Sequence, residues 1–410
     1  MSVLVGVRRE RSRWRRRAAW AALALVLIAA ALIWRVSSEQ PPPIQLQRTL
    51  AAYVRMPGRA PAFAWPREGQ AAVEVPGVGT AASPSAQRPV PIASVAKVMT
   101  AYLTLREHPL APGAEGFEIT ITPAEVTEEG ERMELDESVA PVRAGERLSE
   151  RQALAALLLP SANNVAALLA VHDAGSIPAF LARMNRTARE LGMRSTTYTD
   201  PSGFEQGTVS TASDQLRLAR VAIRIHAFAH IVDESSARLP VAGRVFNYDA
   251  LVGSEGFVGI KTGSDDAAGG CLMFAKRALL AGRRLTVLGV VLGQRSGALV
   301  EAALQSARTL ARSAAASVRE GTFLPRGTRV LRVSAADGRS TTVTTSAALR
   351  GLGWGGSLYR VSVAASAGGR RVRAGQPLAS VTVAGAGSVR ASALHELPGP
   401  SLGWRLAHVL

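Results

Sequence analysis

The sequence predicts an α+β protein, in which a cluster of helices lies between strand-forming ends and a small all-β module follows. Three observations carry this expectation. Runs with helical periodicity fall between residues 94 and 225. Strand-like alternation brackets them, at residues 71–79 and again in two apolar runs, Gly270–Phe274 and Leu285–Leu292. From about Thr322 the texture changes to short alternating strands divided by glycine-rich turns.

Taken in order, residues 1–17 form a basic segment carrying seven Arg against the single acid Glu10. Residues 18–34, AAWAALALVLIAAALIW, are seventeen uncharged and mostly apolar residues with Trp20 and Trp34 near the two ends. That length is the short limit for a bilayer-spanning helix, and the arginines keep their side in the cytoplasm, which sends everything after them outside. A cleaved signal peptide shares the basic start and the apolar run. No well-placed A-x-A followed by polar residues is present, so a single-pass anchor in the cell membrane is expected, with the rest extracytoplasmic. Residues 35–64, which include Pro41, Pro42 and Pro43, read as a linker.

The working domain is expected over residues 65–315. It takes in a strand and turn in AAVEVPGVG (Ala71–Gly79) and helices at Ser94–Leu105, Glu150–Ala170, Ile177–Leu191 and Thr211–Ile225. A hairpin whose strands flank AGRR and a closing amphipathic helix at 297–314 complete it. Residues 322–410, with RVLRVS, YRVSVAA and LASVTVAG, form the β-rich module, which contains no His–Asp–Ser set and no metal cluster.

Composition bounds the function. The chain has 410 residues, 47% apolar and 19% charged, which suits a globular protein large enough for two domains and an anchor. Cys271 is the only cysteine, so no internal disulfide and no cysteine-built zinc site can form. The net charge of +17 sits at the ends: residues 1–17 carry +6 and residues 322–410 carry +9, leaving +2 for the long middle. A nucleic-acid enzyme would be basic across its working surface, so no nucleic-acid partner is expected. Of 48 basic residues only Lys97, Lys261 and Lys276 are lysine. A lysine that persists amid such arginine use marks a place where arginine cannot serve, such as a base that must shed its proton.

Three short motifs carry chemistry. In Ser94-Val95-Ala96-Lys97 the i and i+3 positions share a helix face, so the hydroxyl and the amine can meet. A serine hydroxyl becomes a nucleophile when a lysine of lowered pKa takes its proton, and a helix N-terminus adds partial positive charge beside it. Ser161-Ala162-Asn163 follows a break at Leu157–Pro160; a hydroxyl and an amide on a tight connection suit a proton shuttle and a carbonyl clamp, or simply a helix cap. Lys261-Thr262-Gly263 follows Val258–Ile260, and an edge strand ending in glycine lets a peptide-like substrate lie alongside the backbone. Each motif alone is weak. Together they stand in the order S-x-x-K, then S-x-N 67 residues on, then K-T-G 100 residues later, and two of the three lysines fall on the two lysine positions.

The chain resembles the D-alanyl-D-alanine carboxypeptidases, the low-molecular-mass penicillin-binding proteins. The resemblance rests on these motifs with PIASVAKVMTAY, LLLPSANNVAALLA, LGMRSTTYTDPSGF, STASDQLRLA and VGIKTGSDDAAGGCLMF, and covers roughly residues 65–315. It implies a β-lactamase/transpeptidase-like domain, an antiparallel sheet with a helical cluster, and a substrate of peptidoglycan stem peptides ending in D-Ala-D-Ala. It further implies β-lactams as covalent inhibitors and no cofactor or metal. Position by position, Ser94 is implied as the acylated nucleophile, Lys97 as its base and Ser161 as a proton relay. Asn163 would hold the acyl amide, and Lys261 and Thr262 the terminal carboxylate. The N–H groups of Ser94 and Ser264 match the oxyanion hole, and Arg295 is near where the family places a carboxylate-binding arginine. One departure stands out: Asp265 follows Ser264 where the family has Thr, and Asp266 adds a second carboxylate, which puts substrate preference in question.

Other readings fit the sequence less well. A serine β-lactamase shares the motifs, but between Ala170 and Ser210 the acids are Asp173, Glu190 and Asp200, and no E-x-x-L-N pattern supplies a deacylating Glu. A Ser-His-Asp hydrolase lacks its G-x-S-x-G elbow. His226 and His230 share a helical face without a third ligand. A non-catalytic cell-wall-binding protein would have no reason to keep the reactive residues intact.

Overall fold

The structure, a computed structural model, describes residues 4–38, 42–85, 87–366 and 369–409. Pro41 of the proline run lies outside the described residues. The chain forms two compact units: residues 55–321 with 351–357, and residues 1–54 with 322–350 and 358–410.

In the larger unit, five antiparallel strands stand in the order Phe257–Asp265, Gly269–Leu280, Arg283–Gln294, Gln70–Val75 and Gly79–Ala82. Side chains alternate across a strand, and here both faces are buried. Leu272, Phe274, Val287, Val291, Ala71 and Val73 point to one core, built against Ala303, Ala307, Leu310 and Ala314 of the closing helix Leu299–Ala316. Their neighbours Cys271, Met273, Ala275, Val290 and Ala72 enter a second, larger core with the helical cluster. The apolar runs are therefore long because the central strands have a helix-backed core on each face.

The helices of the cluster end where their sequences provide caps. Ser149 accepts from the Gln152 amide in a capping box, Ser176 from Ala179, and Thr211 from Asp214. The run expected as one helix over Glu150–Ala170 is two, Glu150–Leu158 and Asn163–Ala174, separated by the break at Pro160. The first eight residues of Asn163–Ala174 are buried, so this helix is surrounded. The α+β domain expected from the sequence is the fold observed.

The smaller unit holds a seven-stranded sheet in the order Gln45–Arg48, Arg329–Ser334, Ser340–Thr345, Gly387–Ala393, Pro377–Val383, Leu358–Ala365 and Tyr53–Arg55. Val333, Val343, Val381, Val383 and Ala391 are buried in it. Two of its strands, Gln45–Arg48 and Tyr53–Arg55, lie in the segment read as a linker; the alternation in QLQR was too short to signal a strand that another part of the chain completes. Residues 351–357 are a second departure: Leu352 and Trp354 pack in the larger unit, against the closing helix.

The N-terminal helix runs Leu4–Ser38, longer than the seventeen-residue apolar segment. Its stretch Trp14–Ser38 is the one described helix long and apolar enough to cross a membrane, and Trp20, Leu25, Leu27, Ile33 and Trp34 on it are exposed.

Candidate active site

The S-x-x-K motif sits where a strand runs into a helix. After Val90–Pro91 the chain passes through Ala93 in the left-handed region (φ 44°), makes one tight 3₁₀ turn, Ala93–Ala96, and continues as the helix Lys97–Glu107. Ser94 is half-buried, and Lys97, one turn on, is fully buried. The Lys97 Nζ donates to Asn163 Oδ1 at 2.5 Å and to the Ser202 carbonyl at 3.0 Å, and its third partner is Ser94 Oγ at 2.7 Å, a hydroxyl that can donate or accept.

Two of those three partners are carbonyl oxygens that can only accept. A neutral amine has two hydrogens, which those two oxygens take, so its lone pair faces the Ser94 hydroxyl. The surroundings favour the neutral form. Burial, and next the Lys261 charge, hold the Lys97 amine well below its ordinary range, against the pull of Asp200 and Glu137.

A second loop holds the Ser202 carbonyl in place. Asp200 Oδ2 accepts from the amides of Ser202, Gly203 and Phe204 and from the Ser202 hydroxyl, at 2.6–3.0 Å, while Oδ1 accepts from Thr208 Oγ1 at 2.6 Å. Thr100 Oγ1 reaches back from the nucleophile's helix to the Pro201 carbonyl at 2.6 Å. Gly203, at φ +85°, lies so close beneath the nucleophile's turn that a Cβ there would be 1.9 Å from the Ala93 carbonyl oxygen. The segment DPSG thus acts as the floor of the site.

Ser161 occupies the break between two helices with φ 69°, and its Oγ is buried with no hydrogen-bond partner among the described residues. A strained serine with a free buried hydroxyl is a group held for something else to meet. Asn163 bridges two parties: its Oδ1 accepts from Lys97, and its Nδ2 donates to Glu137 Oε2 at 2.6 Å.

The K-T-G motif lies on Phe257–Asp265, which is the edge of the five-stranded sheet, so a peptide could add beside it. Gly263 lies against the nucleophile's turn. Lys261 and Thr262 are buried, and the Lys261 Nζ donates to the Thr262 carbonyl at 3.0 Å. Burial pushes the Lys261 amine down to about 7, opposed by the buried carboxylate of Asp249. Asp249 in turn is pushed up to about 6 by burial.

Ser264 is exposed at the end of the motif, and Asp265 Oδ1 accepts from the Ala268 amide at 2.6 Å, which ties it into the following turn. Arg295 is not drawn into the cluster of Ser94, Lys97 and Asn163. Its guanidinium donates to the carbonyls of Asp266 at 2.9 Å and Ala267 at 2.6 Å, and its own amide donates to Glu68.

Glu137, Arg132, Asp200 and Asp249 were missed as site residues by reading the sequence. For Asp200 a signal existed in DPSG, an acid two residues before a Ser-Gly turn. For Glu137 and Asp249 only the folded chain brings them near. Of the histidines, His230 Nδ1 lies 3.0 Å from Glu234 Oε1. His108, His172 and Asp173 place potential ligand atoms within 4.8 Å of one another, and His108 Nε2 is 3.5 Å from Asp173 Oδ1.

Known proteins resemble this chain in sequence and in fold. A D-alanyl-D-alanine endopeptidase of Pseudomonas aeruginosa is 38% identical over 129 residues, which is 32% of this chain and 38% of that protein, so the chain spans well under half of that relative. A Streptomyces DD-transpeptidase of known structure is 25% identical, superposes with a TM-score of 0.53, and matches 62% of this chain and 98% of its own. A D-alanyl-D-alanine carboxypeptidase of Francisella tularensis, 19% identical with a TM-score of 0.59, shares the fold over 83% of this chain and 96% of its own. Residues 81–296 match the D-alanyl-D-alanine carboxypeptidase family, and with more than half its length in that match the chain belongs to this family of peptidases.

Proposed function

We propose that the protein is a serine-type D-alanyl-D-alanine carboxypeptidase that removes the terminal D-alanine from peptidoglycan stem peptides. The observation that carries the reading is the fully buried Lys97 amine 2.7 Å from Ser94 Oγ, with its other two partners able only to accept. Ser94 Oγ attacks the carbonyl carbon of the last peptide bond, and its proton passes to the Lys97 lone pair. The carbon–nitrogen bond breaks as that proton moves from Lys97 through Ser161 to the amine of the leaving D-alanine, which restores the neutral lysine. Water then cleaves the Ser94 ester and releases the shortened peptide. Asn163 holds the acyl amide, Lys261 and Thr262 hold the terminal carboxylate, and the amides of Ser94 and Ser264 stabilise the oxyanion.

The test is intact-mass measurement after exposure to penicillin, with D-alanine release from a stem pentapeptide measured alongside. The expected result is one added penicillin on the parent protein and none on Ser94→Ala. Unchanged labelling of Ser94→Ala would remove Ser94 from the mechanism.

A second reading, an endopeptidase acting on cross-linked stem peptides, is favoured by one observation. The Arg295 guanidinium is engaged with two turn carbonyls, and Asp265 and Asp266 put carboxylates beside Ser264, so a free terminal carboxylate meets less positive charge here. Comparing hydrolysis of a pentapeptide with that of a cross-linked dimer distinguishes the two.

For location we infer a single-pass anchor in the cell membrane through residues 18–34, with the enzyme outside, supported by the exposed apolar helix and the arginines before it. N-terminal sequencing of the mature protein tests it: a start between Val36 and Leu46 would mean that the segment is removed.

A further inference from the structure

We propose that Glu137 is a positioning residue for acylation: its carboxylate, clamped by Arg132, takes the Asn163 amide N–H and so holds the Asn163 oxygen on Lys97. The proposal rests on Ser94 and Lys97 acting as described above, and it adds a fixed direction to the Lys97 lone pair.

Asp136, in the left-handed region at φ 56°, turns the chain after the helix Pro123–Glu134 and delivers Glu137 inward. The Glu137 amide donates back to the Arg132 carbonyl at 3.0 Å, and Arg132 Nη1 bonds both of its carboxylate oxygens, at 2.9 and 3.2 Å. Its side chain is 4% exposed. Oε2 accepts from Asn163 Nδ2 at 2.6 Å, while the Asn163 backbone amide is held by the Ser138 carbonyl at 2.7 Å.

An asparagine amide can face either way, and the choice matters here. With its oxygen toward Lys97 it accepts an N–H and leaves the lone pair of the neutral amine for Ser94. Turned over, its NH₂ would donate to that lone pair and compete with the Ser94 proton. A carboxylate only accepts, so Glu137 admits the first orientation alone. Glutamine in its place could satisfy either one. The chain Arg132–Glu137–Asn163–Lys97–Ser94 therefore sets which way the base points, without Glu137 touching substrate.

Charge provides a readout that a merely structural role would not move. The charged groups acting on Lys97 are Lys261 and Arg132, which lower its pKa, and Asp200 and Glu137, which raise it. Acylation needs the neutral amine, so its rate climbs as pH rises through that pKa. Removing the Glu137 charge lowers the pKa and moves the acid limb of the rate profile to lower pH. Removing the Arg132 charge moves it to higher pH.

The experiment is the rate of penicillin acylation of the full-length protein against pH, for the parent, Glu137→Gln and Arg132→Gln, with thermal melts to establish folding. Glu137→Gln should acylate at least about tenfold more slowly at the plateau, as expected for a misdirected base, with its acid limb moved down; Arg132→Gln should move the limb up. If Glu137→Gln does not fold, Glu137→Asp takes its place: it keeps the charge, so the limb should stay while the plateau falls. A Glu137→Gln plateau within about twofold of the parent with an unmoved limb, limbs that move the same way in both variants, or a Glu137→Asp plateau at the parental rate would each overturn the proposal. Absence of Ser94 acylation in the parent protein would instead overturn the proposed function itself.

Discussion

Gly263 of the edge strand and Ser94 of the nucleophile's turn are in backbone contact: a Cβ added to Gly263 would stand 2.9 Å from the Ser94 amide nitrogen and 3.0 Å from that of Val95. Neither neighbour is a flexible side chain that could swing aside. The glycine of K-T-G thus sets the distance between the strand where a substrate would lie and the serine that would attack it. Gly263→Ala should push strand and turn apart, slowing penicillin acylation by about 10² or more while the protein still folds. Acylation of Gly263→Ala at the parental rate would show that the contact is not needed.

How far the site was legible in the sequence depends on which residues carry it. Ser94 and Lys97 are one helical turn apart, so their meeting was readable from spacing alone. Asn163 was readable by its motif, and the structure puts it on the same amine. Glu137 was not, because its tie to Asn163 spans 26 residues through a turn with no periodic signature. Residues 351–357 were invisible for a similar reason: a strand-like run says nothing about which core it will enter, and Trp354 enters the one beneath the closing helix.

The burial of Lys261 should appear in stability as well as in rate. Its amine titrates at about 7, down from 10.5, chiefly through desolvation. Below that value folded and unfolded chains both hold the proton, and the full burial penalty is present. Between about 7 and 10.5 only the unfolded chain holds it, so this group makes the protein more stable as pH rises across that window. Lys261→Met should be more stable than the parent near pH 6 by an amount on the order of a few kcal/mol, with the gain fading toward pH 10, while acylation slows. Urea unfolding at the two pH values measures it. Equal stability at both would mean that the lysine bears no such penalty.

Trp354 should matter for stability and not for chemistry. It is 2% exposed, its ring meets Phe63 edge-on at 4.8 Å, and its Nε1 donates to the Ala314 carbonyl at 3.3 Å. Trp354→Ala should cost about 3–5 kcal/mol, as for other large aromatic truncations in a core, with acylation at low temperature within about twofold of the parent. We expect the β-rich module to be dispensable for the reaction itself, yet a chain ending at Gly321 also loses Trp354 and should show the same loss of stability. An unfolding midpoint for Trp354→Ala equal to the parent's would refute this.

Lys97→Arg separates a base from a structural charge in a chain that otherwise prefers arginine, with 45 Arg against three Lys. If only a positive charge were wanted, arginine would serve. The Lys97 amine, however, is wholly buried, is held well below its ordinary pKa, and faces two oxygens that can only accept. Each feature favours a neutral amine with its lone pair on Ser94, a state that a guanidinium does not reach because it stays protonated in proteins. Lys97→Arg should therefore lose penicillin acylation and D-alanine release by at least about 10², the scale of a lost general base. Lys276→Arg is the control. That lysine stands over the Phe257 ring at 4.7 Å and pairs with Glu255, outside the three motifs, and its replacement should leave the acylation rate unchanged. Parental rates in Lys97→Arg would remove the lysine from the reaction, whereas equal losses in both variants would point to damaged folding instead of a missing base.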